Sequence, residues 1–329
     1  MGNLMDEIRD EQRAFANTGS EWKNHILDLT SPTADPKFLF SFGGEKTIPS
    51  GELIGFKGKA KQGKSQLAYY LTSVMMGASN EGIKANRNDL RAFLFDTEQS
   101  KASLKKCVQR ALKTAGLAID RNCNRLTPFF LRPLAIDERK QVIQSAVETE
   151  KPDVIVIDGV RDLVHDFNNL TESGELISWL LKMCADFGCT IINVLHQNKA
   201  KEDSNMRGHL GSELLNKLTD CFEVSKKDGR FVVKCTDSRN LPTSDFAFSI
   251  TADGKYKEEA FQEPDKNLME IKRVLGLCFK EQKEHSYTSL LNSYQREGMV
   301  SVSTAKRRLQ EAKKMGLIQV QNEGYTLNP

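Results

Sequence analysis

The sequence predicts an α/β fold: a mainly parallel sheet with an antiparallel extension, followed by a small, separate C-terminal unit. Three observations carry this. Short apolar runs (Leu53 to Phe56, Ala92 to Phe95, Val154 to Ile157 and Thr190 to Leu195) alternate with stretches of helical periodicity. Strands that are apolar on both faces and separated by helices belong to a parallel sheet covered on both sides. From Phe222 on, the runs are shorter and are punctuated by Asp228-Gly229 and Asp253-Gly254, a hairpin signature. Past residue 268 the pattern changes again, to helical stretches and a terminal hairpin.

Taken in order, residues 1–45 read as a polar N-terminal arm, with a short helix over Leu4 to Phe15, then Pro32, Pro36 and the apolar patch Phe38-Leu39-Phe40. Residues 46–260 form the main domain, whose antiparallel part holds Phe222 to Val224, Phe231 to Cys235 and Phe246 to Ile250. The stretch 259–267 (EAFQEPDKN) reads as a linker. Residues 265–329 follow a winged-helix pattern, with helices over Leu268 to Phe279 and Tyr287 to Tyr294, the second ended by Gly298. A third helix, capped by Ser303 and running to Met315, buries Ala305, Leu309 and Ala312 and turns Lys306, Arg307, Arg308, Lys313 and Lys314 outward. Ile318 to Val320 and Tyr325 to Leu327 then pair across Asn322-Glu323-Gly324.

Composition narrows the class. With 39% apolar and 28% charged residues, a chain of 329 can bury a sizeable core plus a small appendage. The balance of 47 Lys+Arg against 44 Asp+Glu is too even to argue for nucleic acid from bulk charge. Residues 265–329, however, hold eleven Lys+Arg against seven Asp+Glu, an excess concentrated where the third helix is basic. Such a helix suits a DNA major groove, although winged helices also serve as protein contacts. Seven scattered cysteines with no C-x-x-C pair give neither a metal ribbon nor a disulfide framework, and read as thiols of a reducing cytoplasm. No apolar leader opens the chain, Asp6 breaks the myristoylation pattern, and no apolar run nears the roughly 20 residues of a membrane span. A cytoplasmic location without a membrane partner is expected.

The strongest local signal is Gly58-Lys59-Ala60-Lys61-Gln62-Gly63-Lys64-Ser65, which fits G-x-x-x-x-G-K-[ST] between an apolar strand and a helix that continues from Gln66. Loop N–H groups at a helix start cradle phosphates, the lysine reaches the β- and γ-phosphates, and the hydroxyl of Ser65 ligates Mg²⁺. ATP and Mg²⁺ are therefore the expected cofactors. Asp158 closes the run Val154 to Ile157, the place of an aspartate that holds Mg²⁺ through water, and Gly159 rather than a carboxylate follows it. Glu98, just past Ala92 to Phe95, is positioned to orient and deprotonate the attacking water, or alternatively to meet a helix dipole. His196 and Gln197 end a fourth apolar run, as phosphate sensors or as structural residues.

These stretches resemble the RecA-fold ATPases, and among them the hexameric helicase branch of plasmid RepA-type and DnaB-type enzymes. The resemblance is carried by IPSGELIGFKGKAKQGKS (48–65), FLFDTEQS (93–100), PDVIVIDGVRDL (152–163), IINVLHQNK (191–199) and RGHLGSELLNK (207–217). It implies a RecA-like ATPase domain that assembles into a homo-oligomeric ring and acts on DNA. Glu98 is then the base, Asp158 the Mg²⁺ partner and His196-Gln197 the sensor. An arginine finger from a neighbouring subunit would be Arg239 or Arg207. Arg239 matches a Lys-x-Arg-Asn motif in which Asp237 replaces the lysine. Lys199 and Lys201 fall in a segment that lines the central channel and would contact a single strand. A ring-forming helicase of a plasmid or mobile element is thus the expected function. The alternatives are a DNA-bound ATP switch using the winged helix, or a defence or recombination accessory.

Overall fold

The computed structural model describes residues 25–32, 35–197, 208–240, 242–261, 266–321 and 324–328. The expected helix over Leu4 to Phe15 lies outside them. The first strands are β1 (Phe38–Phe42) and β2 (Glu45–Pro49), which pair with each other; β1 also pairs with β4 (Ile83–Ala85), making a three-stranded antiparallel sheet. Phe38-Leu39-Phe40 is therefore part of a strand, although the sequence pattern puts it in a polar arm. The reason is burial: Leu39, Phe40 and Phe42 join Tyr70, Phe222 and Phe248 in one apolar cluster.

Among the described residues the main sheet has nine strands. Its parallel part holds β3 (Leu53–Gly58), β5 (Ala92–Asp96), β6 (Leu126–Phe130), β7 (Val154–Asp158) and β8 (Thr190–His196). Next to β3 lies β9 (Asp220–Lys227), followed by β10 (Arg230–Ser238), β11 (Phe246–Ile250) and β12 (Tyr256–Glu259). The order is β12-β11-β10-β9-β3-β8-β7-β5-β6, with β9 parallel to β3 and the last four strands mutually antiparallel. Edge strand β6 contains Pro128, which an edge tolerates because no ladder partner needs its missing N–H.

Side-chain alternation explains why these strands are apolar throughout. Ile54, Leu94, Val156 and Ile192 face a cluster under α1 (Lys64–Met75) and α2 (Lys101–Thr114). Leu53, Phe93, Ile155 and Ile191 face the opposite cluster, under α3 (Ile136–Glu150), α4 (Leu170–Phe187) and α5 (Gly208–Lys217). Both faces are covered there, so these four central strands, β3, β5, β7 and β8, have no polar side. Parallel strands also bring their C-terminal ends to one sheet edge. Gly58 lies opposite His196, and Asp96 opposite Asp158, in register.

The C-terminal unit contains α6 (Lys266–Cys278), β13 (Glu284–His285), α7 (Tyr287–Gly298), α8 (Val302–Lys314), β14 (Ile318–Gln321) and β15 (Gly324–Leu327). It has its own core, around Ile271, Leu275, Leu290, Tyr294 and Leu309. Its third helix starts earlier than the sequence suggests. Ser301, not Ser303, is the cap, accepting the N–H of Thr304. Val300 packs into the core just ahead of the cap and Ala305 just after, a staple that sets the helix start at Ser301. Among the described residues, no helix is long and apolar enough to cross a membrane.

Candidate active site

The loop from β3 to α1 needs glycine at both ends. Gly58 has φ +155, and a Cβ there would sit 2.4 Å from the Val224 carbonyl oxygen. Gly63 has φ +103, and its Cβ would lie 2.2 Å from the Phe231 ring. Between them Lys61 adopts φ +63. α1 begins with no side-chain cap and no acidic residue in its first turn. No carboxylate therefore competes with a phosphate for the N–H groups at that helix start.

Three charged or titratable side chains line up across the resulting cleft. The buried Lys64 Nζ donates to the carbonyls of Gly58 (3.1 Å) and Lys59 (3.0 Å), and lies 3.3 Å from His196 Nδ1. An ammonium only donates, so Nδ1 accepts and the opposite Nε2–H points to Glu98 Oε1 at 3.2 Å. Burial holds Lys64 below the usual lysine range, against the pull of Asp158 and Glu98. Glu98 stands below the usual carboxylate range, foremost through its hydrogen bond to His196, with Lys64 and Arg161 assisting and burial opposing. A carboxylate of this kind is ionised at neutral pH and can accept a proton from water.

Asp96 fixes the turn that carries Glu98. Its Oδ1 accepts the N–H groups of Glu98 (3.1 Å) and Gln99 (2.7 Å), and its Oδ2 accepts Gln99 Nε2 (2.6 Å). Gly159 gives the carboxylate its room, since a Cβ at 159 would stand 2.7 Å from Glu98 Oε1. The glycine after Asp158 is thus the counterpart of a glutamate that arrives from the neighbouring strand.

Asp158 is buried, and burial raises it to about 7; Asp96 and Glu98 add to the rise, while a hydrogen bond from Ser65 and the charge of Lys64 oppose it. A buried carboxylate beside a hydroxyl, both oxygen donors, suits a hard cation such as Mg²⁺. Among the described residues no group of three or more His, Cys, Asp or Glu side chains is placed to hold a metal ion. Ser65 and Asp158 would accordingly share the ion with water and phosphate oxygens, the usual habit of Mg²⁺.

The cleft encloses about 360 Å³ and extends past the loop to Arg110, Lys226, Phe231 and Ile250. Gln66 Oε1 accepts from Arg110 Nη1 and from the Tyr256 hydroxyl, both at 2.8 Å, and the Arg110 guanidinium lies 5.7 Å from the Tyr256 ring centroid. From the hairpin of β9 and β10, Lys226 N–H donates to Gln62 Oε1 (2.6 Å) and its ammonium lies over Phe231. Gln62 and Gln66 belong to the ATP-binding run 58–66 expected from the sequence, whereas the roles of Arg110, Lys226, Phe231, Ile250 and Tyr256 escaped that reading. Arg110 is foreshadowed by its place one helical turn after buried Cys107; nothing in the sequence announces that the hairpin folds onto the loop.

The remaining candidates divide. Gln197 is buried and its N–H donates to the Gly58 carbonyl (3.2 Å), so it adjoins the loop from the strand side. Arg239 does not line this cleft. Its guanidinium donates to the Asn216 carbonyl at 3.3 Å, and nearby Asp237 is paired with Lys57 at 3.0 Å. Lys199, Lys201 and Arg207 lie outside the described residues. On α8, Lys306 and Arg307 are exposed, Arg307 lying 3.6 Å from Glu311. Arg308 corrects the expectation of an outward side chain. It is half-buried, with Nε fully enclosed, and lies against the buried Tyr294. Leu309 and Ala305 tilt that side of the helix into the core, which takes Arg308 with them.

A family model described as AAA domain matches residues 36–202. No curated protein matches the chain. Among solved structures, one titled "Crystal structure of the RadB recombinase" is similar with a TM-score of 0.48 and 18% identity, covering 65% of this chain and 94% of that one.

Proposed function

The chain belongs to the AAA domain family, and from that premise we propose that it is a RecA-like Mg²⁺-dependent ATP hydrolase that acts on DNA. The observation that carries the hydrolase reading is the line Lys64–His196–Glu98 across the phosphate loop, with Asp158 and Ser65 beside it. Loop N–H groups and Lys64 bind the triphosphate; ATP would draw Lys64 off the Gly58 and Lys59 carbonyls onto phosphate oxygens. Bound Mg²⁺ supplies charge neutralisation at the phosphates. Glu98 orients a water against the γ-phosphorus and takes its proton. His196 touches both Lys64 and Glu98, so departure of the γ-phosphate changes its partners and passes into the chain after β8.

The DNA-acting part rests on the resemblance to RepA-type and DnaB-type helicases and on the exposed cations of α8. Within that reading the assembly is a homo-oligomeric ring, in which Arg239, lying outside its own cleft, serves the cleft of a neighbour. Lys199, Lys201 and Arg207 contact a single strand in the channel. The C-terminal unit acts as a winged helix that docks on duplex through Lys306 and Arg307. A second reading, a slow ATP switch held at a DNA site, is favoured by one feature: the basic helix sits on a unit with a separate core. Measuring nucleotide binding and phosphate release for Lys64→Ala tests the shared premise. Loss of both is expected, and normal hydrolysis would overturn it. Duplex unwinding then separates motor from switch.

A further inference from the structure

Glu98 and Asp158 end different strands, so their relative placement depends on how the two strand tips are fastened. The residue between Asp96 and Glu98 does this. Thr97 is buried, and its main-chain N–H donates to the Asp158 carbonyl at 2.7 Å. Its hydroxyl is used in both directions. Oγ1 accepts the Gly159 N–H at 3.0 Å and donates to Asp162 Oδ2 at 2.9 Å, the shortest of its acceptors, with the Asp158 and Gly159 carbonyls at 3.3 Å. Asp162 is itself held, its carbonyl accepting Arg139 Nη1 at 2.8 Å. Arg139 reaches from α3 and also donates to the Leu131 and Arg132 carbonyls.

We infer that Thr97 is a positioning residue for hydrolysis, whose hydroxyl, anchored on Asp162, sets Glu98 against Asp158 and Gly159. Sequence alone gives Thr97 no such role, and it is not among the residues that line the cleft. The requirement is for one group that donates and accepts at the same point in a buried place. Serine and threonine meet it, valine of the same shape does not. Without the hydroxyl, the Gly159 N–H and the Asp162 carboxylate lose their partner and the tips of β5 and β7 can separate. Displacement of a base by about 1 Å is enough to cost on the order of 100-fold in rate.

This inference rests on Glu98 being the base, so the experiment includes Glu98→Gln. Steady-state turnover, ATP affinity and melting temperature are compared for Thr97→Val, Thr97→Ser, Asp162→Ala and Glu98→Gln. The expected result is a loss of kcat of about tenfold or more in Thr97→Val, with ATP affinity within about threefold of wild type. Thr97→Ser should restore most of the rate, and Asp162→Ala should reproduce the kcat loss from the other end of the bond. Wild-type kcat in Thr97→Val with Glu98→Gln inactive overturns the inference alone. Full activity in Glu98→Gln overturns the reading beneath it. If Thr97→Val does not fold, Asp162→Ala decides: unchanged kcat sinks the proposal, and a kcat loss at constant ATP affinity supports it.

Discussion

Replacing Gly159 with alanine tests the spatial logic of the site without touching a charged group. The backbone at 159 is extended (φ −119, ψ 133), so alanine fits without left-handed strain. The added Cβ would nevertheless stand 2.7 Å from Glu98 Oε1, against an ordinary contact of at least 3.4 Å. The carboxylate must give way by about 0.7 Å, which is cheap for a half-exposed side-chain tip in stability but not in catalysis. A misplacement of this order lowers turnover by roughly 10- to 100-fold. It also pulls Oε1 from His196 Nε2, now 3.2 Å away. The assay is steady-state phosphate release alongside ATP affinity and a thermal melt. The expected outcome is a folded protein that binds ATP normally and hydrolyses it slowly. Wild-type turnover in Gly159→Ala would refute the claim that this glycine makes room for the base.

Four further outcomes are expected, two in the cleft and two in the C-terminal unit. Removing His196 takes away the largest influence holding Glu98 below the usual range; under the proposal that Glu98 is the base and works ionised, the acidic limb of the rate–pH profile of His196→Ala should move to higher pH. Asp158 is raised from 3.8 to about 7, so in the unfolded chain it loses its proton first and its buried charge destabilises the metal-free fold as pH rises through that interval. A shift of this size corresponds to roughly 4 kcal/mol. Asp158→Asn should therefore melt higher than wild type at pH 8 without Mg²⁺, by a margin that narrows as pH falls and closes only below the unfolded value of 3.8, while losing Mg²⁺-dependent turnover. In the C-terminal unit, Lys306→Ala with Arg307→Ala should weaken duplex binding and lower its salt slope by about one per cation. Arg308→Ala should instead lower the unit's melting temperature, as expected of a side chain lying against Tyr294.

Much of this architecture is legible in the sequence because burial on both faces of a parallel sheet leaves a plain record. Each of the four apolar runs is a strand, and their polar last residues, Asp96, Asp158 and His196, meet at one edge because parallel strands share direction. The hairpins at Asp228-Gly229 and Asp253-Gly254 are likewise announced by their turn residues. The first small sheet was not readable. Phe38 to Phe42 has the apolar content of a strand, but its partners β2 and β4 are short, and β2 is half polar. The sequence shows that Gly159 leaves no carboxylate after Asp158, but not that it makes room for Glu98, and it gives Thr97 no role, because both depend on neighbours about 60 residues away in the chain, as the Thr97 to Asp158 separation of 61 illustrates. The wall formed by Arg110, Tyr256 and Phe231 depends on a hairpin folding across the phosphate loop, which no local pattern encodes. Helical periodicity puts Arg308 on the outer face of its helix, because it counts positions but not the width of the core the helix packs on.

The central claim is that this cleft hydrolyses ATP by means of Glu98 and that the chain does so on DNA. The most direct test is the rate of phosphate release by wild type and Glu98→Gln, each with and without single-stranded DNA. Wild-type turnover should rise about tenfold or more with single strands, a barrier change of roughly 1.4 kcal/mol, and Glu98→Gln should bind ATP yet release almost no phosphate. Equal turnover in the two proteins would contradict that claim at its base.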